Sequence, residues 1–185
     1  MLDAVIALFW EHGFEAASLS EIVDAAGLNK SSLYNTFGSK DELFHRALDR
    51  YVTMREQMLA EATGGDRGID DLLALVDLVG VELLSPDGRR GCLAINTTAE
   101  LGFDSDRVID MAQRYRDSIR TAMRRPLERA AKLGEIEGDL VEVYVDTAMS
   151  YLMAASLVAR GGAPPAELER HLDSMRRLVE SWRTS

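Results

Sequence analysis

Apolar residues recur at three- and four-residue intervals along nearly the whole chain, and no segment sustains the alternation of a half-buried strand. Leu2, Val5, Ile6 and Phe9 form an inward stripe for a first helix that closes near Gly13. Leu19, Ile22, Val23 and Ala26 mark a second helix, and Leu33 with Phe37 a short third. The spacing predicts a fourth helix after Ser39 that runs to about Ala62, then helices over residues 69–84 and 91–101. A seventh is capped at Asp104 or Ser105 and continues to about Leu133, with Pro126 kinking it or locking its bend. The eighth spans residues 140–160, and Gly161-Gly162-Ala163-Pro164-Pro165 turns into a ninth. The expected fold is all-α with about nine helices. Residues 63–68 (Thr-Gly-Gly-Asp-Arg-Gly) are the clearest linker, and the fourth helix joins a head, residues 1–50, to a body, residues 51–185.

The start and stop signals are sharpest over residues 18–42. Ser18 followed by Glu21 is a capping box, in which the hydroxyl satisfies an orphan amide and the carboxylate reaches back. Gly27 sits where a helix C-terminus takes a left-handed residue, and Asn29 is an N-cap for the third helix. Ser39 with Glu42 reads as another capping box. Two helices locked by so short a turn, over about residues 18–37, read as a helix-turn-helix. The second is small, with a face of Lys30, Ser31, Ser32, Tyr34 and Asn35 that lacks a carboxylate and suits a DNA groove. An ordinary helical hairpin is the competing reading of that pattern alone.

Composition sharpens the picture in three places. At 185 residues and 46% hydrophobic, the chain can bury a good core. The net charge of −10 runs against nucleic acid. Residues 1–50 alone carry four Lys/Arg against eight Asp/Glu, a balance of −4, yet between Asp24 and Asp41 stand two lysines and no acid. Local sign, helix N-termini and hydroxyl donors can make phosphate contacts on an acidic molecule. The single Cys92 excludes an internal disulfide and suits a reducing cytoplasm. No signal peptide is visible, and the longest nearly apolar run, residues 148–159, is too short to span a bilayer, so a soluble cytoplasmic protein without membrane contact is expected. His12, His45 and His171 lack metal-ligand spacing, so neither metal nor cofactor is expected. With no nucleophile elbow, P-loop or dinucleotide fingerprint, the chain does not read as an enzyme.

Residues 1–51 closely resemble the DNA-binding domain of the TetR (tetracycline repressor) family. The resemblance rests on L-D-A-V-I-A-L-F-W-E-H-G-F-E-A-A-S-L (2–19), I-V-D-A-A-G-L-N-K-S-S-L-Y-N-T-F-G-S-K (22–40) and D-E-L-F (41–44). It implies a three-helix DNA-binding head and a C-terminal helical domain for effector binding and dimerisation. The family's short basic arm has no counterpart before Met1-Leu2, so either the start is truncated or arm contacts are lacking. In the third helix, Lys30 can bond guanine or phosphate, Asn35 can pair with adenine, and Ser31 and Ser32 can donate or accept. Tyr34 resembles the family's usual tyrosine, Lys40 should meet the DNA backbone at a helix N-terminus, and Ser20 can touch phosphate.

Two further groups of residues follow from the later helices. Leu168, Leu172, Met175, Val179 and Trp182 alternate spacings of four and three, as do Val145, Ala148, Leu152, Ala155 and Ala159. Such seams pack helices at shallow angles, and in the family this pair forms a four-helix dimer bundle. Leu152, Ala155, Ala159, Leu168, Leu172, Met175, Val179 and Trp182 are therefore expected at a homodimer interface, the competing reading being that both seams face the monomer's own interior. Asn96, Glu100, Tyr115, Tyr144, Thr147 and Tyr151 are expected to anchor a small-molecule effector among apolar walls. Cys92, beside Arg89 and Arg90, becomes a redox or electrophile sensor only if its thiolate is favoured, and a buried inert thiol is the plainer reading. The expected function is a ligand-responsive transcriptional repressor that binds a palindromic operator as a dimer. The alternative is a dimeric small-molecule-binding protein whose DNA contact is vestigial.

Overall fold

The structure is a computed structural model that describes residues 1–102 and 104–184. Among the described residues there are nine α-helices and no strand: α1 Leu2–Ala16, α2 Leu19–Ala26, α3 Lys30–Phe37, α4 Lys40–Ala62, α5 Ile69–Leu83, α6 Leu93–Leu101, α7 Asp106–Leu133, α8 Val141–Arg160 and α9 Pro165–Glu180. Single 3₁₀ turns, Gly88–Arg90 and Gly138–Leu140, precede α6 and α8. The helix starts follow from local chemistry. Ser18 Oγ accepts from the Glu21 amide at 3.2 Å while the Glu21 carboxylate accepts from the Ser18 amide at 2.8 Å, closing the capping box of α2. Ser18→Ala is expected to cost about 0.5–2 kcal/mol, read from the denaturant midpoint. Gly27 ends α2 at φ 65°, and Asn29 Oδ1 caps α3 through the Ser32 amide at 2.8 Å. The second box is one-sided: Ser39 Oγ accepts from the Glu42 amide, but the Glu42 carboxylate turns to Arg107, 3.0 Å away.

The chain forms two compact units, each built from two stretches of chain. The first joins residues 1–55 to residues 93–115, and the second joins residues 56–92 to residues 116–185. In this grouping α6 and the start of α7 fall in the same unit as the helix-turn-helix. In the first unit, Val5, Ile6 and Phe9 of α1, Ile22 of α2, Leu33 and Phe37 of α3, and Leu43, Phe44 and Leu48 of α4 are buried together. Phe44 meets Phe9 edge-on at 4.9 Å and Phe14 at 4.8 Å. The α6 backbone is tied in by the Leu93 amide, which donates to the Tyr51 hydroxyl at 3.3 Å.

In the second unit, α9 packs on α5 and α8, which also touch each other. The two seams of the sequence lie on the inner sides of these helices. Ala155, Ala159, Leu168, Leu172, Met175, Val179 and Trp182 are buried within a single chain, and Leu152 is half-buried. The seams read as a subunit interface are the unit's own core, because α5 supplies Leu72, Leu75, Val76 and Val79 to cover them. Trp182 lies beyond the end of α9 and stacks on Tyr144 at 4.3 Å. The expectation about length also changes. Gly138–Arg160 is long and apolar enough, by length and composition alone, to cross a membrane. That stretch nevertheless carries Glu142, bonded to Arg124 at 2.7 Å, and Asp146, bonded to Arg120, and it packs on α5 and α9 as a core helix does.

Candidate nucleic-acid interface

The eight residues of α3 divide cleanly between scaffold and solvent. Leu33 and Phe37, one turn apart, are buried at 0% and 5% exposure and fasten the helix to its unit. At 3.6 residues per turn, Ser31 and Asn35 point the opposite way, and both are exposed. Lys30 and Tyr34 flank them on one side and are exposed as well. Ser32 is half-buried, with its amide spent on the cap. Thr36, which the sequence reading passed over, is exposed on the far flank and adds a hydroxyl to the surface. Its signal was its position three residues after Leu33 and one before Phe37, beside the buried row. Ser20 is exposed on α2.

Several acids of this unit are held by neighbouring groups, away from α3, whose own sequence carries no carboxylate. Arg50 bonds Asp3 at 2.8 Å and holds its carboxyl below the usual range. The Ser18 hydroxyl and amide do the same for Glu21. Glu42 is lowered by Arg107, which also lies 3.9 Å from Asp41. His45 pairs with Asp41 at 3.5 Å, yet burial and then Arg107 push its imidazole below the ordinary histidine value. Arg46 lies over the Phe37 ring at 5.4 Å and reaches Glu42 at 3.7 Å. Lys30 makes no ion pair among the described residues. Lys40 differs from it: its ammonium sits 4.7 Å over the Phe14 ring and donates to the Glu15 carbonyl at 3.4 Å.

The six residues expected to anchor an effector are divided between the two units. Asn96, Glu100 and Tyr115 fall in the first unit, whereas Tyr144, Thr147 and Tyr151 fall in the second. Glu100 is already occupied, since its carboxylate accepts from the amides of Phe14 at 3.2 Å and Glu15 at 2.9 Å. Tyr115 is buried, Tyr144 stacks on Trp182, Thr147 Oγ1 bonds its own helix at the Val143 carbonyl, and Tyr151 lies against His171 at 5.4 Å. None of the six lines the groove of about 700 Å³ that the second unit does present, between Leu83, Pro86, Arg89, Ala163 and Leu168. Neither do they line the smaller hollows beside Val81 and Asp173 or beside His45 and Arg114. Cys92 is buried. No cluster of three metal-ligating side chains occurs among the described residues.

Two family models match the chain along its length. Residues 1–47 match the family described as "Bacterial regulatory proteins, tetR family", and residues 68–179 match "Tetracyclin repressor-like, C-terminal domain". The chain is 32% identical over 141 residues to the HTH-type transcriptional repressor ComR of Escherichia coli K12, covering 73% of this chain and 65% of that repressor's length. It is 29% identical over 153 residues to the HTH-type transcriptional repressor BdcR of the same organism, covering 83% and 75%. Among solved structures, the TetR family transcriptional regulator CifR, in a cysteine mutant complexed with 26 bp operator DNA, aligns with a TM-score of 0.80 at 25% identity, covering 98% of this chain and 94% of that one. The chain belongs to the tetR family of bacterial regulatory proteins, which are DNA-binding transcriptional regulators and not enzymes.

Proposed function

We propose that this chain is a transcriptional repressor that binds a palindromic operator as a homodimer and is released by a small molecule held in its second unit. The exposed, acid-free face of α3 carries the reading. Ser31 and Asn35 face base edges, Lys30 faces guanine or phosphate from the first turn, and Tyr34 and Thr36 flank them. ComR and BdcR, both repressors, support this direction of action, and CifR, solved on operator DNA, supports the DNA contact. With a net charge of −10, the molecule repels DNA at a distance, so binding should be selective and strongly weakened by salt.

The dimer face follows once the buried seams are set aside. The outer side of α8 presents Val143, Thr147, Ser150, Ala154 and Leu157 at alternating spacings of four and three, with Val143 56% and Leu157 66% exposed. Thr147 and Ser150 return their hydroxyls to their own helix, at the carbonyls of Val143 and Asp146, so a second copy can cover them without stranding a donor. On α9 the matching outer row is Glu167, Arg170, Ser174, Arg177 and Ser181, all exposed. A two-fold dimer carries two copies of α3, which a palindrome with half-sites about one DNA turn (34–36 Å) or a related spacing apart would match. For the effector, the groove at Leu83, Pro86 and Arg89 is favoured over the scattered tyrosines, because its walls are apolar and its size is that of a small-molecule site. Its rim runs straight into the 3₁₀ turn before α6.

The test is selection of bound duplexes from random DNA, followed by titration of the enriched site. Recovery of an inverted repeat is the expected result, and a failure to enrich any sequence at low salt overturns the reading in favour of vestigial DNA binding. Lys30→Ala should weaken binding about tenfold and reduce the slope of log affinity against log salt by about 1 if the lysine meets a phosphate.

A further inference from the structure

We propose that Glu100 is a positioning residue for operator binding: from α6 it grips the broken last turn of α1 and so fixes the corner from which the helix-turn-helix departs. This rests on the repressor reading above. The observation is a backbone break with a partner built into it. Gly13 stands inside α1 at φ 80° and ψ 178°, a left-handed excursion that only glycine makes without strain. Past that break, the amides of Phe14 and Glu15 both point at the Glu100 carboxylate, 3.2 and 2.9 Å from its two oxygens. A Cβ on residue 13 would lie 2.8 Å from one of those oxygens, so the glycine also makes room for the carboxylate. Two charge-assisted bonds from adjacent amides to one carboxylate form a directional clasp.

The same dipeptide is gripped from α4. Lys40 donates to the Glu15 carbonyl, and its ammonium rests on the Phe14 ring, which in turn packs on Phe44. Residues 14 and 15 are therefore the point where α6 and α4 both hold α1. Helix α2 begins at Leu19, four residues further along, and packs on α1. Whatever sets the position of α6 is thus passed through Glu100 to the corner between α1 and α2, and from there to α3. Glu100 touches no base or phosphate in this scheme; it acts through the backbone it holds.

Amide hydrogen exchange and titration of a selected duplex test the proposal together. Glu100→Ala should speed exchange at the Phe14 and Glu15 amides and weaken operator binding about tenfold, with helicity, oligomeric mass and salt slope unchanged. Glu100→Gln keeps one acceptor but turns a donor toward the other amide, so it should fall between wild type and alanine. Gly13→Ala, which drives a methyl into the clasp, should reproduce the alanine phenotype by a separate route. Unchanged exchange at both amides overturns the grip. Faster exchange with affinity within about twofold of wild type overturns the positioning role. If the wild-type chain enriches no duplex, the repressor reading itself falls, and this role falls with it even where exchange reports an intact clasp.

Discussion

Leu157→Glu is expected to convert the proposed dimer to a monomer and to lower operator affinity by about 100-fold or more. Leu157 is 66% exposed in one chain, so the substitution removes no internal contact and should leave the melting temperature of the monomer nearly unaltered. In the proposed bundle the same position is covered by a second copy, where an unpaired carboxylate is costly. Affinity falls because the two α3 helices no longer bind as a linked pair. Light scattering on the purified protein reads the mass, and anisotropy with the selected duplex reads the affinity. The contrasting substitution is Ala155→Glu, at a buried residue of α8, which should unfold the second unit instead. A Leu157→Glu protein that remains dimeric at micromolar concentration would move the interface off this face.

Phe44→Ala is expected to cost about 3–5 kcal/mol, much of the stability of a typical domain. Its ring is 1% exposed and closes an aromatic cluster with Phe9 and Phe14, so its loss leaves a cavity that α1 and α4 cannot close without moving. Because the chain has two tryptophans, Trp10 in the first unit and Trp182 in the second, a Trp182→Phe background lets Trp10 fluorescence report the head alone. The denaturant midpoint of that signal should drop sharply, and DNA binding should vanish at temperatures where the second unit is still folded. A loss below about 1 kcal/mol would mean that the cluster is looser than its ring distances imply.

The readable parts of this fold are those whose causes are local. Ser18 and Glu21, Gly27 and Asn29 act within four residues of themselves, so the boundaries of α2 and α3 could be derived before any coordinates. The exposed face of α3 followed in turn, since burying Leu33 and Phe37 leaves only one orientation. The inward side of α8 was not derivable in this way. Val145, Ala148, Leu152, Ala155 and Ala159 share their heptad spacing with Val143, Thr147, Ser150, Ala154 and Leu157 on the other side. Only the presence of α5 decides which row is core, and α5 ends at Leu83, far upstream of the start of α8 at Val141. The contacts of Glu100 were hidden for a related reason. On α6 it read as a polar anchor beside apolar residues, whereas its partners are two main-chain amides 86 and 85 residues away, exposed by a glycine whose role shows only in the backbone.

The interleaving of residues 1–55 with residues 93–115 has a practical corollary for engineering. A chimera that transplants only the first fifty residues onto another regulator's trunk would leave behind the clasp of Glu100, the Arg107 counter-charge for Glu42 and the Leu93 tether to Tyr51. A working graft would have to carry both pieces of chain and splice them at two separate points, so sensor modules are exchangeable here only as an insert between them and a tail behind them.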